Sequence, residues 1–382
     1  RRRLRRAAGP SPTPCAVRRP RASPPTGDQF VDLLDANFNK PAPTPPAKTC
    51  TENNSPTFAT SGDPCLDFFF HVVPDTPAET VSSLLANAWA AEPTTALRLA
   101  CNLRGVRGTG KSDREGFYAA ALWMHGSHPA TLALNARPVA EFGYLKDLPE
   151  ILHRIIHGGV STADLQWKRM VEDLLALGKL NNCLAVCDVS GSMNGLPMDV
   201  CVALGLLLSE LCDEPWRHRV ITFSGQPQLH HISGDTLAEK TQFIREMQWD
   251  MNTDFQAVFD QLLRVAVAGK VPPERMVKKV FVFSDMEFDQ ASSRPWETDY
   301  EAITRKYSEA GYGDAVPQIV FWNLRDSDSV PVTAHQKGVA LVSGFSKNMV
   351  KLFLEGEYIL SPRAVMEKAI AGPEYQKLVV FD

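Results

Sequence analysis

The sequence predicts an α/β protein whose carboxyl-terminal half is a doubly wound, mostly parallel sheet. After residue 180, short apolar runs alternate with helix-length segments, which is the pattern of βαβ units. Before that point, apolar residues recur at helical spacing, and the first residues are rich in Arg and Pro. We therefore divide the chain into a disordered tail over residues 1–60, an all-α, helical-repeat-like region over 61–165 and an α/β domain over 166–382.

The tail has a composition that cannot bury a core. Residues 1–27 hold eight arginines and no acidic residue, and prolines recur as far as Pro46. An Arg-rich start without acids is also typical of organelle targeting segments. Because no apolar signal-peptide core is seen, we expect an intracellular protein, cytoplasmic or nuclear, with organelle targeting as an alternative.

The helical region is predicted from amphipathic segments separated by Gly, Pro and Asn. Short helices with tight connections favour stacked antiparallel pairs. The predicted helices cover residues 78–90, 94–103, 114–125, 130–134 and 145–157.

The α/β domain is predicted from at least five strands with helices between them, joined by right-handed crossovers. The strands are expected at 184–189, 220–223, 279–285, 318–322 and 338–343. The helices are expected at 197–212, 255–268, 296–310, 347–354 and 362–371.

Polar side chains follow two of these strands. Asp188, Ser190 and Ser192 come at alternate positions where the first apolar run breaks into a loop. Asp285 ends a second apolar run, and Thr253 lies just before a predicted helix. Open α/β sheets bind ligands at the carboxyl edge of their strands, and such hard oxygen donors suit Mg²⁺ better than Zn²⁺ or copper. An Asx-turn and helix cap would use the same residues without a metal. A further strand end, 343–346, is expected near the rim of this site.

The Asp-x-Ser-x-Ser loop, the loop threonine and the second strand-end aspartate resemble the metal-ion-dependent adhesion site (MIDAS) of the von Willebrand factor A domain. The resemblance implies one Mg²⁺ or Mn²⁺ ion with an open position that accepts a carboxylate from a partner protein. The metal ligands that it implies are Asp188, Ser190, Ser192, Thr253 and Asp285. Two loops depart from the family, which often has glycine beside its threonine and after its second aspartate. Here Asn252 and Met286 stand at those places.

A wider resemblance covers nearly everything after residue 50. Segments 51–57, 67–75, 141–148, 166–170 and 283–289 are similar to a mainly plant family of unknown function. That family joins a helical region to a von Willebrand A-like half. Related chains have a long helical segment between the equivalents of residues 158 and 165, so this helical region is expected to be truncated. More distantly, the layout resembles the Ro autoantigen, whose helical ring binds RNA.

The site and the resemblance favour a non-enzymatic protein-interaction module. Two alternatives to this interpretation remain. The first is an RNA-associated scaffold using a basic cluster in the helical half, although a solvated surface is favoured because neither folded part is basic overall. The cluster comprises Arg98, Arg104, Arg107, Lys111 and Arg114. The second is a P-loop NTPase, because residues 105–112 fit the Gly-x-x-x-x-Gly-Lys-Ser pattern. The helical spacing before that pattern disfavours it, since a P-loop follows a strand.

A membrane location, a zinc site and a nucleophilic serine are disfavoured. No apolar run approaches the length of a membrane span, so we expect no membrane association. The eight cysteines lack the spacing of a zinc site, and we expect those near the first strand to be small buried hydrophobic residues. No Gly-x-Ser-x-Gly elbow marks a nucleophilic serine, and we therefore expect no enzyme.

Overall fold

The computed structural model describes residues 46–105, 109–135, 160–223, 227–247, 253–291, 294, 296–354 and 360–382, without the side chains of 160–166. From Pro46 onward the chain forms one compact unit. The predicted helix at 145–157 and the predicted disorder of residues 1–45 lie outside the described residues.

A short antiparallel hairpin lies where the sequence predicts the end of the disordered tail. Its strands are β1 (Lys48–Cys50) and β2 (Pro56–Phe58). Phe58 exchanges backbone hydrogen bonds of 3.1 and 2.8 Å with Val330, and the Ser55 hydroxyl donates to the buried carboxylate of Asp299 at 2.9 Å. The prediction of disorder is therefore wrong for residues 48–58. The partners that order this segment lie almost 250 residues away in the chain, where composition cannot reveal them.

The helical region begins with a helix that the sequence analysis missed. Every residue from Cys65 to His71 is buried, so the segment has no polar face to mark it as helical. The four predicted helices from 78 to 134 are confirmed to within two residues at each end. The observed helices are α1 (Pro64–His71), α2 (Ala78–Ala91), α3 (Pro93–Arg104), α4 (Arg114–Ser127), α5 (Pro129–Leu134) and α6 (Val160–Leu175).

A six-stranded mixed sheet with helices confirms the predicted α/β class. Its strands are β3 (Cys183–Cys187), β4 (Arg219–Thr222), β5 (Gln228–His231), β6 (Lys279–Ser284), β7 (Gln318–Asn323) and β8 (Val339–Ser343). Their spatial order is β5-β4-β3-β6-β7-β8, and all neighbours are parallel except β5 with β4. The sequence analysis missed β5 because its four residues, Gln-Leu-His-His, give almost no apolar signal.

Four of the five helices predicted for the α/β domain are observed as α-helices with similar bounds, and the fifth, Lys347–Phe353, is a 3₁₀ helix. Two further helices, Leu237–Arg245 and Pro373–Gln376, were not predicted. The observed α-helices of this domain are α7 (Leu196–Leu211), α8 (Leu237–Arg245), α9 (Phe255–Gly269), α10 (Asp299–Glu309), α11 (Pro362–Ala369) and α12 (Pro373–Gln376). Among the helices of the described residues, none is both long and apolar enough to cross a membrane.

The packing of α7 on β3 fixes the loop that carries Asp188, because this loop joins the two elements. The contact is closest at Gly205, where an added Cβ would lie 2.3 Å from the Sγ atom of Cys187. Cys187 is the last residue of β3 and is fully buried. A side chain at position 205 therefore forces either the Cys187 thiol or the helix to move.

We predict that Gly205→Ala lowers the free energy of unfolding by about 1–3 kcal/mol, as expected for an overpacked core. Adding Cys187→Ala should recover most of this loss, since the next nearest side-chain atom is the Cβ of Cys187, at 4.0 Å. Urea unfolding of the two single variants and the double variant measures both effects. A double variant that is no more stable than Gly205→Ala would contradict this account of the contact.

Candidate metal centre at the carboxyl edge of the sheet

The pairing of β3 with β6 places the two predicted aspartates at one edge of the sheet. These strands are parallel neighbours, and Cys187 pairs with Phe283 in their register. Asp188 directly follows β3, and its N–H donates to the carbonyl of Phe283 at 3.0 Å. Ser284 is the last residue of β6, and Asp285 directly follows it. The strand ends meet as parallel register requires.

Asp188 is completely buried, and both of its carboxylate oxygens accept hydrogen bonds. Oδ2 accepts from the Ser284 hydroxyl at 2.6 Å, and Oδ1 accepts from the N–H of Ser190 at 3.0 Å. The same Ser284 hydroxyl lies 3.5 Å from Oδ1 of Asp285 and so connects the two carboxyl groups. Burial, followed by the charge of Asp285, raises the pKa of Asp188 to about 6.

The two loop serines point their hydroxyls at each other. The Oγ atoms of Ser190 and Ser192 are 2.9 Å apart, at the start of the 3₁₀ turn Gly191–Met193. Ser192 is exposed and lines a cavity of about 520 Å³, and Asp285 lines the same cavity. The structure thus brings Asp188, Ser190, Ser192 and Asp285 together through direct contacts or a shared cavity wall.

Thr253 lies against the loop that follows β6. Its N–H donates to Oδ2 of Asp289 at 2.6 Å, and its hydroxyl donates to the carbonyl of Glu287 at 3.3 Å. No contact between Thr253 and either metal-site aspartate is found in the described part of the chain. Thr253 is therefore near the site, but its hydrogen bonds do not bring it into the cluster.

Met286 follows Asp285, at the position where the von Willebrand A family often has a glycine. Its φ of 68° lies in the left-handed region, which a glycine adopts without strain. The methionine side chain is fully buried, and its N–H donates to the Ser284 hydroxyl at 3.1 Å. The loop thus keeps a backbone conformation that suits glycine even though the residue type differs.

Several residues that line the cavity were missed by the sequence analysis. Glu287 accepts from the N–H of Glu52 at 2.7 Å and from the Ser329 hydroxyl at 2.9 Å, and burial raises its pKa. Arg325 donates to the carbonyl of Ser192. Residues 325–329 follow β7, so the strand-end rule that found Asp285 would also have found them. Nothing in the sequence indicates that the hairpin residues around Glu52 form part of the cavity wall.

The cavity is strongly acidic. Arg325 is the one basic residue that lines it in the described part of the chain. The acidic residues that line it are Glu52, Asp285, Glu287, Asp326 and Asp328.

The donor set fits a hard divalent cation. Two carboxylates and two hydroxyls offer oxygen ligands, which Mg²⁺ and Mn²⁺ prefer. The described residues contain no group of three or more His, Cys, Asp or Glu side chains arranged to hold a metal ion. An ion at this edge would therefore depend on the serine hydroxyls and on water to complete its coordination.

Ser343, which was expected near the rim of the site, lies elsewhere. It is fully buried and donates to the carbonyl of Phe69 at 2.9 Å. The end of β8 therefore packs under α1, and Ser343 does not line the described cavity.

Comparison with known proteins matches residues 182–377 to a domain of unknown function, DUF7788. The chain belongs to the DUF7788 family. Residues 51–164 match a second domain of unknown function, DUF2828. The uncharacterized protein L728 of Acanthamoeba polyphaga mimivirus is 37% identical over 213 residues, which make up 54% of this chain and 37% of L728. The matched part therefore spans little more than a third of that relative.

The P-loop-like sequence lies in the DUF2828 match and follows α3, a helix and not a strand. Lys111 is 1% exposed, and its ammonium donates to the carbonyls of Phe69 and Val72 and to the Ser343 hydroxyl. These bonds cap the carboxyl end of α1 and tie it to β8. Lys111 is thus occupied within the protein and does not offer its charge to a phosphate. Its burial lowers its pKa to about 7.

We predict that Lys111→Met lowers the free energy of unfolding by about 1–3 kcal/mol, because the two carbonyls and the hydroxyl lose a buried donor. Calorimetric titration with ATP and Mg²⁺ should show no nucleotide binding by the wild type. The substitution should therefore leave the titration unchanged. Micromolar nucleotide binding that is lost in the variant would revive the P-loop interpretation.

The pKa of Asp188 predicts a pH dependence of stability in metal-free buffer. The folded protein holds this proton up to about pH 6, whereas the unfolded chain releases it near the ordinary value of 3.8. Because the folded state binds more protons between these values, the free energy of unfolding should fall as pH rises through this window. Asp188→Asn should lose this part of the slope. Chemical unfolding at several pH values with a chelator measures it, and parallel curves for the wild type and the variant would contradict the prediction.

Proposed function

We propose that this protein is a non-enzymatic interaction module with a von Willebrand A-type domain that binds Mg²⁺ or Mn²⁺ and, through it, a carboxylate of a partner protein. One observation carries the proposal: two strand-end aspartates, bridged by the Ser284 hydroxyl, lie beside a cavity of about 520 Å³ into which Ser192 opens. A parallel sheet with one antiparallel edge strand supports the assignment of the domain type.

The chain's own residues have distinct parts in this proposal. Asp188 is held in place by Ser284 and by the N–H of Ser190, so its carboxylate is fixed before any ion arrives. Ser190 and Ser192 supply converging hydroxyl oxygens, and Asp285 supplies the second carboxylate from the cavity wall. Thr253 would bind the ion only after its hydroxyl breaks its hydrogen bond to the carbonyl of Glu287. A bound ion would neutralise the paired carboxylates and offer an open coordination position.

Binding, and not hydrolysis, is the proposed role because, among the described residues, no histidine is placed to act as a base for the loop serines. In the described part of the chain, the Ser190 and Ser192 hydroxyls contact each other, and no histidine bonds to either. A nucleophilic serine needs an adjacent general base to become reactive.

The acidic cavity makes the proposed recognition strictly metal-dependent. Five acidic side chains and one arginine line it, so an acidic partner group would be repelled from the metal-free protein. A divalent cation reverses the sign of the field at the point of contact. We therefore expect capture of a partner from a lysate in Mg²⁺ and none in chelator, with Asp188→Ala behaving like the chelated wild type.

We predict that millimolar Mg²⁺ or Mn²⁺ raises the melting temperature of the wild type, because an ion that binds only the folded state stabilises it by mass action, by about 2.7 kcal/mol at 100 times Kd. Asp188→Asn should abolish the rise. Ser190→Ala and Ser192→Ala should reduce it less, since each removes a neutral donor.

Asp299→Asn is the matched control for this melt. Asp299 is also buried, and burial raises its pKa to about 6, but it accepts from Ser55 and Gln256 away from the cavity. This variant should keep the full response to the cation. A wild-type melt that ignores both cations, together with a destabilised Asp188→Asn, would leave Asp188 as a loop cap and refute the metal site.

The alternative of an RNA-associated scaffold remains a prediction without a structural observation in its favour. Lys111 is buried, Arg114 lies 3.2 Å from Glu115, and Arg98 donates to Gln376. Arg107 lies outside the described residues.

A further inference from the structure

A second cavity lies at the opposite flank of the sheet and has a different character. It measures about 290 Å³ and lies between the β4–β5 edge and α9. Leu184, Ile221 and Leu229 line it from three adjacent strands, and Val258 and Val265 line it from the helix. None of these five residues touches the acidic cavity.

The mouth of this second cavity exposes apolar side chains. Leu229 is 55% exposed and Val265 is 58% exposed. Leu229 lies on the edge strand β5, which has only four residues, and Val265 lies on α9. The walls therefore hold apolar surface that water reaches, which is typical of a binding site and not of a closed core.

Two polar groups lie among these apolar walls. Arg275 is the one charged residue that lines the cavity in the described part of the chain, and it is exposed. Gln261 also lines it; its side-chain oxygen accepts from Arg264 at 2.8 Å, which leaves its amide nitrogen as a donor. A guanidinium and an amide N–H are the groups that bind a carboxylate, and the apolar walls suit a hydrocarbon chain.

We propose that this cavity binds a small apolar monocarboxylic acid, with its carboxylate on Arg275 and its hydrocarbon part between the sheet and α9. The size suits a small ligand, because 290 Å³ lies just below the roughly 300–1,000 Å³ that is typical of small-molecule pockets. Because Arg275 is positively charged, the cavity should bind an acid in preference to an amine. The site is independent of the metal centre.

The probe is sodium octanoate, titrated into the full chain by isothermal calorimetry, with octylamine as the matched cation of equal chain length. We expect octanoate to bind at one site and octylamine to bind about tenfold more weakly or not at all, since a charge-assisted hydrogen bond is lost. Arg275→Gln should weaken octanoate binding about tenfold and should not weaken octylamine binding, because it removes a charge that attracts the carboxylate and repels the ammonium.

A pair of surface variants on one helix tests the location. Val265→Glu places a negative charge at the mouth and should weaken octanoate binding about tenfold or more. Val267→Glu is the control, because Val267 is 47% exposed on the same helix but does not line the cavity. Both positions face solvent, so neither variant should unfold the protein. Asp188→Asn should bind octanoate like the wild type.

Three results would overturn the proposal. Octanoate and octylamine could bind the wild type equally, which would make the cavity apolar without selecting a charge. The two valine variants could behave alike, which would place binding elsewhere. Octanoate could fail to bind at millimolar concentration, which would exclude the ligand class.

Discussion

The parallel pairing of β3 with β6 is the constraint on which the candidate metal centre depends. Once Cys187 pairs with Phe283, the residues that follow must end at the same edge, and two of them are aspartates. Two carboxyl groups at a buried edge repel each other, and Ser284 relieves only part of this through one shared hydroxyl. Burial first, and then the charge of Asp285, raises the pKa of Asp188, and either a proton or a cation would offset this cost.

The helical region and the α/β domain are held together by buried and partly buried polar contacts. The Lys111 ammonium binds the end of α1 and the end of β8, and Arg363 on α11 donates to Asp63 and Glu92 at 2.6 and 2.8 Å. The hairpin adds bonds from Phe58 and supplies one wall of the acidic cavity. The site is therefore shaped by segments from both parts of the chain. The predicted domain boundary between residues 165 and 166 remains a prediction, and limited proteolysis can test it.

Much of the fold followed from the sequence because the relevant signals are local. Parallel strands such as β3 and β6 are buried on both faces and form continuous apolar runs, and the helices from 78 to 134 have regular spacing. The elements that were not predicted have no such local signal in the sequence. The helix α1 is buried on every side and has no periodicity, β5 is a short polar edge, and the hairpin is ordered by partners distant in sequence. Lys111 is the sharpest case, since its motif fits a phosphate site while its ammonium serves as a helix cap.

For the site, residue type and chain order predicted which side chains meet at the sheet edge. They did not predict Ser284 as the bridge, nor that Thr253 would bond to Glu287. The strand-end rule specifies an edge, whereas hydrogen bonds within that edge depend on loop conformation, as the left-handed Met286 shows. The acidity of the cavity arises from three separate segments and appears only when they are folded together.

The most direct measurement is an anomalous difference map from crystals of the protein grown with Mn²⁺. The account predicts one strong peak at the carboxyl edge of the sheet, within about 2.0–2.3 Å of oxygens of Ser190, Ser192 and at least one of the two aspartates. Crystals of Asp188→Asn should lack that peak. A wild-type map without a peak there, with Asp188 still bonded to Ser284 and Ser190, would contradict the metal centre and leave these residues as a loop cap.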